Sequence, residues 1–288
     1  MLSHLPPDVG IGLKPLHYSA VLATHDGADA PSWVEVHPQN YFGAGGPPHR
    51  WLGAIAEHYP VSFHSVGLSI GTAQGLDDDE LDQLAELCLR YQPASVSDHL
   101  SWSGNANDRY PDLLPIPYTR AALLHCAEQI DRVQDRLGRP ILVENPSRYL
   151  AFLGDEMTEV DFIHDLCRQT GCGLLFDINN VEVSCTNLDL DPFGYIDRID
   201  PAIVGEVHLA GHAKEMHSGD PLLIDDHGSP VSELTWKLFD RFIRRAGAQP
   251  VLIEWDTDVP EYAVLLAEVT RARDIMAAVR HRKPIHAG

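Results

Sequence analysis

The sequence predicts one α/β domain over residues 1–288, folded as a closed (β/α)8 TIM barrel. Three observations carry that prediction. Short apolar runs alternate with amphipathic stretches eight times along the chain, which implies a parallel sheet. The length of 288 residues suits an α/β barrel, a fold that closes as a single unit at about 250 residues. Six of the runs stop on a His, Asp or Glu, as strands do at the end of a barrel where active sites are built.

Apolar runs at 10–13 and 33–36 open the alternation as strands. Trp51, Leu52, Ile55 and Ala56 then fall on one side of a helix over 49–59. Strand Val61–His64 follows, and helix Asp78–Tyr91 opens with Asp77-Asp78-Asp79-Glu80, carboxylates suited to the positive end of a helix dipole. Next comes strand 94–99. Helix 118–137 stops at Gly138 before strand 141–144, and helix Glu159–Thr170 stops at Gly171 before strand Gly173–Asp177, because glycine readily adopts the left-handed helix-ending conformation. A weaker helix at 192–199 precedes strand 203–209. Helix 231–246 stops at Gly247 before strand 251–255, and helix 261–280 closes the fold. An open doubly wound sheet is disfavoured, since no Gly-rich phosphate fingerprint follows the first strand. The irregular stretches 65–75, 101–117 and 211–230 all follow strands and so belong over the barrel mouth.

Composition narrows the function. With 21 Lys and Arg against 42 Asp and Glu, the net charge of −21 repels a phosphate backbone, which argues against general nucleic-acid binding. The five cysteines are odd in number, scattered and without a C-x-x-C pair, so a reduced, cytoplasmic chain is expected rather than a disulfide framework. Cys88, Cys126 and Cys167 fall on predicted helices as core residues. The first residues lack a basic segment followed by an apolar one, and no apolar run reaches the ~20 residues of a membrane span.

Barrel closure gathers the strand ends at one mouth. His64, His99, Glu144, Asp177, His208 and Glu254 would form a ring there, joined by Asn180 three residues past Asp177 and by Asp225 and His227 in the loop after the seventh strand. Imidazole and carboxylate donors without thiolate suit iron, manganese or zinc. So many donors exceed the needs of one ion and suit two or three ions bridged by carboxylates. His212 and Asp98 are the candidate catalytic residues; His212 suits a ligand, an acid/base or a hydrogen-bond donor alike. Glu35 and His37 suit the barrel floor or substrate binding. Taken singly, His64 and His208 also suit hydrogen-bonded core imidazoles, and Glu144-Asn145-Pro146 a capped strand exit. The chain has no Gly-x-Ser-x-Gly elbow, Walker loop or His-Glu-x-x-His helix, and a glycosidase would leave the histidines unexplained.

Several motifs together resemble a known family: Gly10-Ile11-Gly12-Leu13-Lys14, Trp33-Val34-Glu35-Val36-His37-Pro38-Gln39-Asn40-Tyr41-Phe42, Phe63-His64-Ser65-Val66-Gly67-Leu68-Ser69-Ile70-Gly71, Ser97-Asp98-His99-Leu100-Ser101-Trp102, Glu144-Asn145-Pro146, Phe176-Asp177-Ile178-Asn179-Asn180 and Glu206-Val207-His208-Leu209-Ala210-Gly211-His212. Over almost the whole chain the sequence resembles the multinuclear non-haem iron-dependent oxidative enzymes, the family of the methanobactin-biosynthesis oxidase. The resemblance implies a barrel of the xylose isomerase/endonuclease IV-like superfamily. It also implies two or three iron ions of mixed Fe(II)/Fe(III) state, O2 as co-substrate, and oxidative modification of cysteines in a ribosomally made precursor peptide that a leader-binding partner protein presents. On the superfamily's three-metal pattern, His64, His99 and Glu144 hold the first metal. Glu144 bridges to a second held by Asp177, His208 and Glu254, and Asn180, Asp225 and His227 hold the third. An endonuclease IV-like site has a histidine where this chain has Asn180, a weaker ligand. The alternatives are a metal-dependent phosphodiesterase or endonuclease, a sugar isomerase of the same superfamily, and a non-catalytic metal-binding protein.

Overall fold

The computed structural model describes residues 2–104, 109–217 and 219–281. Its strands are β1 (Val9–Gly12), β2 (Val34–Val36), β3 (Val61–His64), β4 (Ser95–His99), β5 (Trp102–Gly104), β6 (Arg109–Leu114), β7 (Leu142–Glu144), β8 (Gly173–Asp177), β9 (Val204–Leu209), β10 (Ala213–His217), β11 (Asp220–Ile224) and β12 (Val251–Ile253). Eight of them close a barrel in the order β1, β12, β9, β8, β7, β4, β3, β2, and the pairs of this ring are parallel. Each of these eight is one of the predicted strands, and the fold is the expected TIM barrel.

The helices are α1 (Tyr18–Ala23), α2 (Pro47–Ala56), α3 (Asp78–Tyr91), α4 (Arg120–Leu137), α5 (Glu159–Thr170), α6 (Ile178–Asn187), α7 (Pro192–Arg198), α8 (Glu233–Ala246) and α9 (Tyr262–His281). Their ends follow local chemistry. Asp77, Thr119, Thr158 and Ser232 accept backbone N–H groups at the starts of α3, α4, α5 and α8. Gly138 and Gly171 take positive φ at the ends of α4 and α5. Among the described residues no helix is long and apolar enough to cross a membrane.

Two predicted loops hold more structure than expected. The stretch 101–117 contains the antiparallel hairpin of β5 and β6, although residues 105–108 lie outside the described ones; 211–230 contains that of β10 and β11. Helix α6, which the sequence reading left out, starts directly at the end of β8.

Strand alternation sorts the side chains into two environments. Val61, Phe63, Val96, Val143, Leu174, Phe176, Val207, Leu209, Val251 and Ile253 face outward and build the large core under the helices, against which Cys88, Cys126 and Cys167 also pack. Trp33 and Leu252 face inward and, with Leu5, close the floor as a separate cluster. Gly10 permits this, since a Cβ there would stand 2.3 Å from the Trp33 ring. In β9 the register slips, Leu174 pairing with Val204 but Leu175 with Glu206. The extra residue, Gly205, is a bulge that leaves Val204 in the outer core while Glu206 and His208 turn into the barrel.

Candidate metal centre

The inward positions at the upper strand ends carry the predicted donors. His64 ends β3, His99 β4, Glu144 β7 and Asp177 β8, while His208 lies near the end of β9 and Glu254 one residue past β12. All six are buried. Glu144 Oε2 lies 3.0 Å from His64 Nε2 and 3.1 Å from His99 Nε2, and the two imidazole nitrogens are 3.3 Å apart. Yet Glu144 Oε2 has no aligned hydrogen-bond partner. Three donor atoms this close, with the carboxylate oxygen aligned to neither imidazole, are what donors converging on a common point produce.

Asp177 connects this trio to the rest. Its Oδ1 accepts the Asn180 N–H at 2.6 Å and so caps α6, which leaves Oδ2 without a partner. Glu144, Asp177 and His208 form a second compact donor group, and Asp177, His227 and Glu254 a third; Glu35, His208 and Glu254, and His37, Glu254 and Asp256, form two more among the described residues. Glu144 is thus common to the first and second groups, and Asp177 to the second and third.

The surroundings fix these side chains. Ser97 Oγ sits 2.8 Å from His64 Nδ1 and leaves Nε2 for Glu144. Asn145 ties β7 to β8 by donating to the Asp177 carbonyl and accepting the Asp177 N–H, both at 2.9 Å. Asn180 donates through Nδ2 to Glu144 Oε1 and to the Asn145 carbonyl, and its Oδ1 is unpartnered. Asp225 Oδ1 lies 2.7 Å from His227 Nε2, whereas His227 Nδ1 faces Glu254 Oε2 at 3.4 Å. Asp225 and His227, expected as co-ligands, therefore pair with each other, and His227 belongs to the third group.

Among the described residues, neither candidate catalytic residue lines the cavity above the ring. Adjacent residues of a strand point to opposite faces, so with His99 turned inward Asp98 turns outward. Its Oδ2 accepts the Leu68 N–H at 3.1 Å and its Oδ1 the His99 N–H, which pins the loop after β3. Burial pushes its carboxyl up to about 7. His212 stands behind the rim, with Nδ1 2.8 Å from Asn179 Oδ1; Asn179 in turn donates to Asp225 Oδ1 at 2.8 Å. Both residues hold loops and partners in place rather than face the cavity.

Other groups at the mouth were not singled out as ligands or catalysts. Asp256 lies 2.5 Å from Lys14 Nζ and 3.9 Å from His37 Nε2. Their signal was position: Asp256 follows the Glu254 strand end by two residues, and Lys14 ends the first strand run. The cavity above the ring measures about 680 Å³ and is lined by the donors other than Asp177 and His208, together with Val66, Tyr110, Leu113, Asp226 and Thr257.

Charge balance decides what the ring wants. Burial pushes Glu144 and Asp177 well above the usual carboxylate range, Glu144 adding to the effect on Asp177. Burial likewise lowers His64 to about 4 and His99 well below the ordinary value. For His208 and His227 burial acts downward, but Glu35 and Glu254 around the first, and Asp225 and Glu254 around the second, raise them well above it. Protons thus offset the crowded negative charge. Divalent cations would offset it by displacing them, since ligands bind metal in the deprotonated form. Leaving Glu144 Oε2, Asp177 Oδ2 and Asn180 Oδ1 buried without an aligned hydrogen-bond partner is unfavourable by roughly 1–3 kcal/mol each. Metal bonds would satisfy them, and the nitrogen and oxygen donor set fits iron, manganese or zinc.

Fold and site together define a TIM barrel with an imidazole and carboxylate ring at its mouth. A D-psicose 3-epimerase from Clostridium cellulolyticum, crystallised with D-tagatose, superposes with a TM-score of 0.62 at 10% identity, covering 94% of this chain and 99% of that one. Endonuclease IV from Thermus thermophilus gives 0.56 at 16% identity, covering 96% and 100%. These likenesses share the fold alone. The profile of one family, described as RiPP precursor modification enzyme MbnB/TglH/ChrH, matches residues 8–277, and the chain belongs to that family of enzymes acting on ribosomally made precursor peptides. A UPF0276 protein of Caulobacter sp. (strain K31) is 48% identical over 273 residues, which covers 94% of this chain and 97% of the relative.

Proposed function

We propose that the chain is a multinuclear non-haem iron enzyme that uses O2 to modify cysteine residues in a ribosomally synthesised precursor peptide. One observation carries the reading beyond family membership: three donor groups linked in series by Glu144 and Asp177 suit a centre of two or three ions with bridging carboxylates. His64, His99 and Glu144 would hold one ion, and Glu144, Asp177, His208 and Glu254 a second. His227, with Asp225 and Asn180 beside it, would hold a third. Bound iron, of mixed Fe(II)/Fe(III) state, would supply the electrons for O2 chemistry and an open position for the substrate thiolate.

The chain's own residues prepare that chemistry. Ser97 orients His64, Asn145 and Asn180 lock Glu144 against Asp177, and the His212–Asn179 pair holds Asp225. Val66, Tyr110 and Leu113 offer apolar contacts to a peptide entering the cavity. The remaining carboxylates, Asp112, Asp226 and Asp256, repel polyanions and weigh against nucleic acid. A partner protein that binds the leader segment belongs to this reading. So does a cytoplasmic setting, which suits the free cysteines.

The test is anaerobic reconstitution with ferrous iron, followed by O2 exposure with a Cys-containing precursor peptide and its leader-binding partner. The expected result is a change in peptide mass that requires both iron and O2. Unchanged peptide under every metal loading, together with nicking of abasic DNA or epimerisation of a ketose, would replace the proposal with one of its superfamily alternatives.

A further inference from the structure

Beneath the donor ring, inside the barrel, lie two carboxylates to which the proposed centre assigns no role. Glu35 on β2 and Glu206 on β9 are 3% and 0% exposed, deeper than a charged side chain normally sits without a partner. Ser62 Oγ on β3 donates to Glu35 Oε2 at 2.9 Å and lies 3.4 Å from Glu206 Oε2, so one hydroxyl holds both. The other two oxygens face His208: Glu35 Oε1 is 3.4 Å and Glu206 Oε1 3.5 Å from His208 Nε2. The opposite nitrogen, Nδ1, lies 3.0 Å from Glu254 Oε2, on the side of the ring. Glu206 Oε1 and His208 Nε2 have no aligned hydrogen-bond partner, each other included, so at 3.5 Å they face one another without yet being joined.

Donor atoms of Glu35, His208 and Glu254 also lie within 4.8 Å of one another; with His208 already assigned to the ion it shares with Glu144 and Asp177, a further cation between Glu35 and Glu206 would require it to bind metal through both nitrogens at once. A proton on Nε2 needs only a neutral imidazole. We propose that Glu35 and Glu206 are positioning residues that hold His208 as its Nε2–H tautomer, with the Nδ1 lone pair aimed at the metal position it shares with Glu144 and Asp177. Their negative charge strengthens the imidazole as a donor, the role carboxylates play behind histidine ligands generally. The assignment rests on the metal centre proposed above but not on iron or on O2, and it can be tested with zinc.

The variants are Glu206→Gln and Glu35→Gln, which keep volume and remove charge, and Ser62→Ala, which removes the hydroxyl that aligns both carboxylates. Two quantities are read: zinc bound per chain in a chelator competition, and the thermal midpoint of the chelator-stripped protein. In the Gln variants the affinity of one zinc per chain should fall about 10–100-fold. The stripped midpoint should stay level or rise, because three carboxylates, Glu35, Glu206 and Glu254, crowd one imidazole and removing one charge relieves their mutual repulsion while leaving two partners and no cavity. Ser62→Ala should lower the same affinity by a smaller factor. A purely structural pair would behave the other way, with a lowered stripped midpoint and unaltered zinc affinity of the folded protein, and that result overturns the assignment. Should the Gln variants not fold, unaltered affinity in Ser62→Ala overturns it alone. Zinc-loaded parent protein with unaltered variants sinks only this pairing, whereas a parent that takes up no metal sinks the centre and the pairing together.

Discussion

At the floor of the barrel Trp33 lies across Gly10 and against Leu252 and Leu5, and space is filled without a polar contact to spare. At the mouth, one strand length away, Glu144, Asp177 and Asn180 each keep a buried polar atom without an aligned hydrogen-bond partner. The same strands supply both ends. The difference teaches that this barrel separates its two requirements along its axis: volume complementarity closes one end, and unsatisfied charge prepares the other.

Substitutions can break or sharpen that contrast. The largest effect is expected from Glu144→Ala, which removes the carboxylate common to two donor groups. Metal retention should fall by more than the roughly 10–100-fold typical of a supporting residue, while circular dichroism still reports a folded barrel. A full metal complement in this variant would dissolve the distinction between the ends. Trp33→Ala should lower unfolding stability by about 3–5 kcal/mol in urea titrations and leave metal per folded chain unchanged. Loss of metal on equal footing with stability would show the ends to be coupled. Gly10→Ala places a methyl group 2.3 Å from the indole; about 1–3 kcal/mol of overpacking is expected. Combined with Trp33→Ala the two changes should be strongly non-additive, because each relieves what the other disturbs.

The smallest effect lies just below the floor. Burial would raise the Asp8 carboxyl, but hydrogen bonds from Ser32, Arg273 and the Val9 N–H hold it below its ordinary value of 3.8. A carboxyl depressed in the folded state adds stability above the unfolded value, and that stability is lost as pH falls through the folded one. Asp8→Asn should therefore cost less than about 1 kcal/mol at neutral pH, since the group is half exposed. The gap to the parent protein should close on acidification below 3.8. A gap that widened in acid would give the interaction the wrong sign.

The barrel was legible because each strand is an apolar run, six of them with a donor at the end, and parallel strands buried on both faces leave that trace. The donor ring was legible for the same reason. Asp98 was singled out as a catalytic candidate beside His99, although alternation turns adjacent residues to opposite faces; the same parity places Glu206, two residues before His208, inside. Helix α6 was missed because Asn179, Asn180, Val181, Val183 and Thr186 are poor helix formers, and burial between the barrel and the β10–β11 hairpin overrides their preference. The hairpins were hidden in stretches whose polar and glycine-rich residues read equally as loop.

Asp177 caps α6 with one oxygen and offers the other to the ring, and Asn179 and Asn180, on the first turn of that helix, steady Asp225 and Glu144. The helix thus acts as a ruler that starts at the ring. A single residue inserted after Asp177 would swing both asparagines about 100° around its axis. Between strand and helix, then, the chain tolerates changes of letter more readily than any change of spacing.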